Sequence, residues 1–308
     1  MSRLHLAAAF ALLAAPAFAE VPQVVADIAP VHGLVARVMA GVGEPVLLMR
    51  PGASPHHYAM RPSEAAALSG ADVVFMVGAE LTPWLGRPLE SLASGASRVP
   101  LLHAAGTTAL PVRERALFGG GDDGHGHDHA DHDHDHANEG PDPHAWLDPE
   151  NGKAWLAAIA AELSRLDPEN AAAYAANTSA GAEEIDAAAD DVRAELATVP
   201  GLRFIVFHDA YQYFENRFDF PAAGAIAISD AAPSGPARIA ELRDRIAALG
   251  IDCALSEPQF DPDLVATVLD GAEARTAVLD PLGTGLATGA EFYPALIRSA
   301  GSALASCR

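Results

Sequence analysis

Residues 167–199 read DPENAAAYAANTSAGAEEIDAAADDVRAELATV, an alanine- and acid-rich run about nine helical turns long. Alanine has the highest intrinsic helix propensity, and Asp167-Pro168-Glu169 is a helix-start signal. A flexible linker would be rich in glycine and serine. This run is not, so a straight helix is expected over 168–197. On both sides of it, short apolar runs alternate with amphipathic stretches. Before it, strands are expected at 23–28, 46–49, 73–77 and 98–102. The helices between them are marked by Leu34, Val35, Val38 and Met39 on one face, by Arg61-Pro62-Ser63-Glu64, and by residues 84–92. A further helical pattern covers 150–166. After Pro200-Gly201 the alternation resumes, with strands expected at 203–207, 223–228, 252–256 and 275–279. Two βα blocks imply an α/β protein of two lobes, each a doubly wound, mostly parallel sheet. The expected division is 20–166, then the rigid linking helix 167–199, then 200–308.

The first 19 residues read as a secretion signal: Arg3, an apolar stretch over 6–15, and the small-x-small site Ala17-Phe18-Ala19. Cleavage would leave Glu20 first. No later stretch reaches about 18 unbroken apolar residues, and no cysteine lies near the cleavage site to carry a lipid. A soluble periplasmic protein without direct membrane anchoring is expected. Both cysteines, Cys253 and Cys307, fall in the last quarter, where an oxidising compartment favours their pairing. A two-cysteine metal site is the rival reading, and the wide spacing without Cys-x-x-Cys argues against it. The formal net charge is −22, with no basic patch, which argues against nucleic acid and anionic membrane as partners. Such charge suits attraction of a cation, and equally suits solubility alone.

Metal chemistry enters through histidine. His125, His127, His129, His132, His134 and His136 alternate with Asp128, Asp131, Asp133 and Asp135 inside the loop 122–139. Imidazole and carboxylate are the ligands that zinc and its neighbours prefer. The run has no large apolar side chain, so no packed core can use it. Elsewhere, doubly wound sheets bind ligands beyond the carboxyl ends of their strands. His56 follows the 46–49 strand on a Pro/Gly-rich loop, His208 follows 204–207, and Asp280 follows 276–279. His144 stands between the histidine-rich loop and the next helix. Three imidazoles and one carboxylate from two lobes would make a tetrahedral zinc site. His5, His32 and His103 are read as ordinary surface or core residues. Trp146, Trp155, Tyr211, Tyr213 and Phe214 are read as packing, and Glu257 as a partner of a ligand histidine or a loop anchor.

Four motifs carry a resemblance: Pro51-Gly52-Ala53-Ser54-Pro55-His56, Asp142-Pro143-His144-Ala145-Trp146-Leu147-Asp148-Pro149, Phe207-His208-Asp209-Ala210-Tyr211 and Leu279-Asp280-Pro281-Leu282-Gly283. In this order they resemble the metal-binding receptors of ABC importers, of the periplasmic zinc (ZnuA-like) type. The resemblance implies Zn²⁺ held between two lobes by His56, His144 and His208, with Asp280 at a position that supplies a carboxylate in some relatives. It also implies a membrane permease as partner, a monomer, and a receptor rather than an enzyme. The histidine-rich loop and the C-terminal cysteine pair are similar to that type as well. Pro55 stands where relatives often carry glutamate, which raises the importance of Asp280 or water as fourth ligand, and His57 is a possible competitor of His56. A manganese receptor of the same fold would place glutamate at the third ligand position, where this chain has His208. A zinc hydrolase would need a base beside a metal-bound water, for which Asp209 or Glu257 could be proposed, but the chain has no His-Glu-x-x-His.

Overall fold

The computed structural model describes residues 21–113, 140–227, 236–260, 262–269, 271 and 273–308. The expected secretion signal and the histidine-rich loop 122–139 lie outside the described residues. Two four-stranded parallel sheets form the frame. The first contains β1 (Val24–Ala26), β2 (Val46–Leu47), β3 (Val73–Met76) and β4 (Ser97–Pro100), in the order β2-β1-β3-β4. The second contains β5 (Phe204–His208), β6 (Gly224–Ala227), β7 (Cys253–Ser256) and β8 (Arg275–Val278), in the order β6-β5-β7-β8. Each chain half therefore winds to one side of its first strand and then crosses to the other. That reversal opens a crevice beyond the carboxyl ends of the two central strands. Central strands covered on both faces must be apolar throughout. Val24, Val25 and Ala26 are all buried, as are Val73, Val74 and Phe75.

The helices of the first half are α1 (Ala29–Val38), α2 (Pro62–Ser69), α3 (Gly86–Leu92) and α4 (Pro149–Leu166). Helix α4 begins where the sequence supplies a cap: the Asp148 carboxylate accepts from the Glu150 amide, and Pro149 occupies the first turn. Then comes α5 (Ala171–Leu196), 26 residues after a single 3-10 turn at Pro168–Asn170. It spans about 39 Å at 1.5 Å per residue. It packs against α1, α4 and α9 (Phe292–Ala305), and so touches helices of both halves. Its buried face is Tyr174, Gly181, Ile185, Ala188, Ala189, Val192 and Leu196. Gly181 is there because of crowding: a Cβ would stand 3.0 Å from both Arg37 Cγ and Leu156 Cδ1. Beside it, Arg37 grips Glu184 through two bonds of 2.7 and 2.9 Å. The second half adds α6 (Gln212–Phe218), α7 (Pro236–Leu249) and α8 (Pro262–Leu269). Cys253 and Cys307 form a disulfide that joins the start of β7 to the end of α9. One continuous apolar core contains Phe75, Trp146, Trp155, Tyr174, Phe204 and Phe292, so it crosses from one half to the other.

Several elements differ in extent from the sequence expectation. Strand β4 stops at Pro100 and residues 101–103 turn as a 3-10 helix. Strand β2 keeps only two residues, although the Leu48 and Met49 amides still bond to the Ala26 and Asp27 carbonyls. His208 is the last residue of β5 rather than the first residue after it. Among the described residues no helix is long and apolar enough to cross a membrane.

Candidate metal centre

His56 lies on the loop between β2 and α2. Gly52 turns this loop at φ +79°, a conformation that side-chain-bearing residues rarely adopt. The His56 amide donates to Ser54 Oγ at 3.2 Å, and Trp84 Nε1 donates to the Pro55 carbonyl at 2.8 Å. Tyr58, two residues on, donates to Glu64 at 2.7 Å. His208 ends the central strand β5 at the crevice. His144 starts the 3-10 turn Ala145–Leu147. Each of the three offers a ring nitrogen, and these atoms lie within 4.8 Å of one another. His144 and His208 are buried, His56 is half-buried, and His57 faces solvent.

Two carboxylates set the rings. Asp142 Oδ1 stands 2.7 Å from His144 Nδ1 and also accepts the His144 amide at 3.0 Å. Glu257 Oε1 stands 2.6 Å from His208 Nδ1. With a carboxylate on each Nδ1, the proton of a neutral ring belongs there, and the lone pair belongs to Nε2. The two Nε2 atoms face each other at 3.4 Å. Tetrahedral zinc with Zn–N bonds of about 2.05 Å separates its ligand nitrogens by about 3.3 Å. The spacing is therefore that of two ligands sharing one ion. Beyond the histidines and Glu257, the lining is mostly apolar, from Pro55, Trp146, Phe260, Pro281 and Leu282, with Ser54 and Gln259 as its polar members.

Asp280 is not brought into this group. Its Oδ1 accepts from the Leu282 amide at 2.9 Å and from Gln259 Nε2 at 3.2 Å, and its Oδ2 accepts from the Thr284 amide at 2.5 Å. The carboxylate is turned into its own loop, which abuts the histidines through Pro281 and Leu282. Asp142 was missed in the sequence although Asp-Pro-His carries its signal: an aspartate two residues before a ligand can bond back to that residue's amide and ring. Asp27, at the end of β1, was missed as well. Its carboxylate accepts from the Ile28 and Val77 amides at 2.7 and 2.9 Å, and burial pushes its pKa up to about 7. Beside His208, burial pushes Asp209 up to about 7 against the pull of Arg113. His103 pairs with Glu80 and His32 faces the Pro45 carbonyl, so neither belongs to the centre.

A family model described as the periplasmic zinc-uptake complex component A matches residues 24–307. The high-affinity zinc uptake system protein ZnuA of Paracoccus denitrificans is 45% identical, over 99% of this chain and 98% of its own. The protein of the same description from Brucella abortus is also 45% identical, over 92% and 91%. Among solved structures, one described as ZnuA superposes with a TM-score of 0.74 at 21% identity, covering 92% of this chain and all of its own, a likeness of fold.

Proposed function

Since the chain belongs to the ZnuA family of periplasmic zinc-uptake components, we propose that it is a high-affinity zinc receptor that captures Zn²⁺ and delivers it to the membrane permease of an ABC importer. The family consists of solute-binding proteins rather than enzymes. His56, His144 and His208 are the proposed ligands. The observation that carries this reading is the 3.4 Å separation of two Nε2 atoms whose opposite nitrogens are each held by a carboxylate. Three neutral imidazoles leave both charges of the ion to be balanced from outside the coordination shell. Asp142 and Glu257 do this at one imidazole's remove, and they make the ring nitrogens more basic.

Asp280 is kept as a candidate fourth ligand only if it releases the Leu282 and Thr284 amides. Otherwise a water molecule completes the tetrahedron. A manganese receptor would need more oxygen donors than this set offers. A hydrolytic site would need a spare base, whereas Glu257 is committed to His208 and Asp209 lies 3.2 Å from Arg113. The reading includes export through a signal at 1–19, with mature protein starting at Glu20, a monomeric state, and lobes divided by the segment 167–199. Competition titration of zinc against a chromophoric chelator tests the ligands. His144→Ala and His208→Ala should lose the tight site, and wild-type affinity in either would remove that residue from the set.

A further inference from the structure

His144 precedes α5 in sequence, yet its segment is bonded mainly to elements that follow α5. The Tyr213 hydroxyl, on α6, donates to the Asp142 carbonyl at 2.7 Å and accepts from the Leu110 amide at 2.9 Å. Arg217, one turn further along α6, clasps Asp148 with bonds of 2.6 and 2.8 Å. Tyr293 of α9 donates to the Trp146 carbonyl at 2.7 Å, and Trp146 Nε1 donates to the Pro281 carbonyl at 2.8 Å. So both ends of the segment 142–148 are fastened to α6, and its middle to the β8–α9 loop and α9. Helix α6 begins four residues after His208.

We propose that Tyr213 and Arg217 are positioning residues for the metal centre: they weld the segment bearing His144 to the helix that follows His208, so that these two ligands form one preassembled pair. The proposal rests on the reading of His144 and His208 as zinc ligands. Their effect passes through the Asp142 backbone carbonyl, held by Tyr213, and the Asp148 carboxylate, held by Arg217. Tyr213 and Arg217 lie at i and i+4, on one face of α6. Tyr213 is fully buried, so its hydroxyl exchanges no bonds with solvent. Its removal would free the Asp142 carbonyl, and with it the residue whose carboxylate orients His144. Preassembly lowers the ordering cost of binding, so the loss appears in affinity.

The test uses the full chain and five variants, one of them His144→Ala. Tyr213→Phe keeps the ring and removes only the hydroxyl. Arg217→Gln removes the clasp, and Arg217→Lys keeps the charge without the fork. Tyr174→Phe is the control. It deletes a buried hydroxyl bond of 2.8 Å, to Asp167, away from the centre. Zinc affinity is measured by chelator competition, and the geometry of the centre by the visible absorption of the Co²⁺-substituted protein. Tyr213→Phe and Arg217→Gln should each weaken zinc about tenfold and alter the Co²⁺ bands. Arg217→Lys should recover part of the loss, and Tyr174→Phe should match wild type. If Tyr213→Phe and Arg217→Gln bind as tightly as Tyr174→Phe with unchanged Co²⁺ bands, while His144→Ala abolishes binding, the proposal is overturned and the ligand assignment stands. If His144→Ala binds normally, the assignment itself has failed.

Discussion

Glu257→Gln separates the charge behind His208 from its mere shape. Glu257 is 3% exposed, and its Oε1 lies 2.6 Å from His208 Nδ1 and 3.4 Å from the His208 amide. Glutamine can still accept the Nδ1 proton through its own oxygen, so the ring keeps its orientation. What disappears is the negative charge. A charge-assisted hydrogen bond contributes about 1.5–3 kcal/mol and a neutral one about 0.5–1.5 kcal/mol. The difference is on the order of 1.4 kcal/mol, or about tenfold in Kd. That agrees with the roughly 10–100-fold range for partners of metal-bound histidine. In the metal-free protein the substitution removes a buried carboxylate, so thermal stability should not fall by more than about 1 kcal/mol. Chelator-competition titration gives the affinity, and calorimetry of the metal-free protein gives the stability. An affinity within twofold of wild type would refute the argument that Glu257 tunes His208. A large loss of metal-free stability would mean that Glu257 holds the fold and not the ligand.

Asp280→Asn should cost about 1 kcal/mol of stability, because one amide oxygen cannot replace two carboxylate oxygens that accept from Leu282, Thr284 and Gln259. Its zinc affinity should fall less than tenfold, and a loss of the tight site in titration would establish Asp280 as a direct ligand. Asp27 should make stability pH-dependent. Its folded pKa of about 7 lies above its ordinary 3.8, so its stabilisation is complete below 3.8 and is lost as pH rises through 7. The upper bound across that interval is about 4 kcal/mol. Denaturant unfolding from pH 4 to 7.5 should show a flatter profile for Asp27→Asn than for wild type, and parallel profiles would contradict this. Deleting residues 122–139 should lower zinc stoichiometry in equilibrium dialysis and leave the tightest site, and its disappearance would mean that the deleted run supplies a primary ligand.

The architecture was largely legible because its signals are local. Apolar runs of strand length and the alanine-rich run before Pro200-Gly201 need no tertiary information to read. The ends of elements were less legible. His208 fits β5 as well as the loop after it, and Pro100 ends β4 although the apolar pattern runs on to Leu102. At the centre, the three histidines that come together could be named from their motifs, His56 and His208 also from their places after strands. The direction of the Asp280 carboxylate could not, since it depends on backbone amides at 282 and 284 that sequence does not orient. Tyr213 looked like packing for a similar reason. Its ring does pack, and its hydroxyl's partners are Leu110 and Asp142, 103 and 71 residues away in sequence.

The most direct test of the proposed centre is a crystal of the zinc-loaded protein measured on both sides of the zinc absorption edge. The account predicts a single strong anomalous peak between the lobes, about 2.0–2.1 Å from Nε2 of His144, Nε2 of His208 and one ring nitrogen of His56. A strong peak elsewhere, with the space between these three rings empty of zinc, would contradict it.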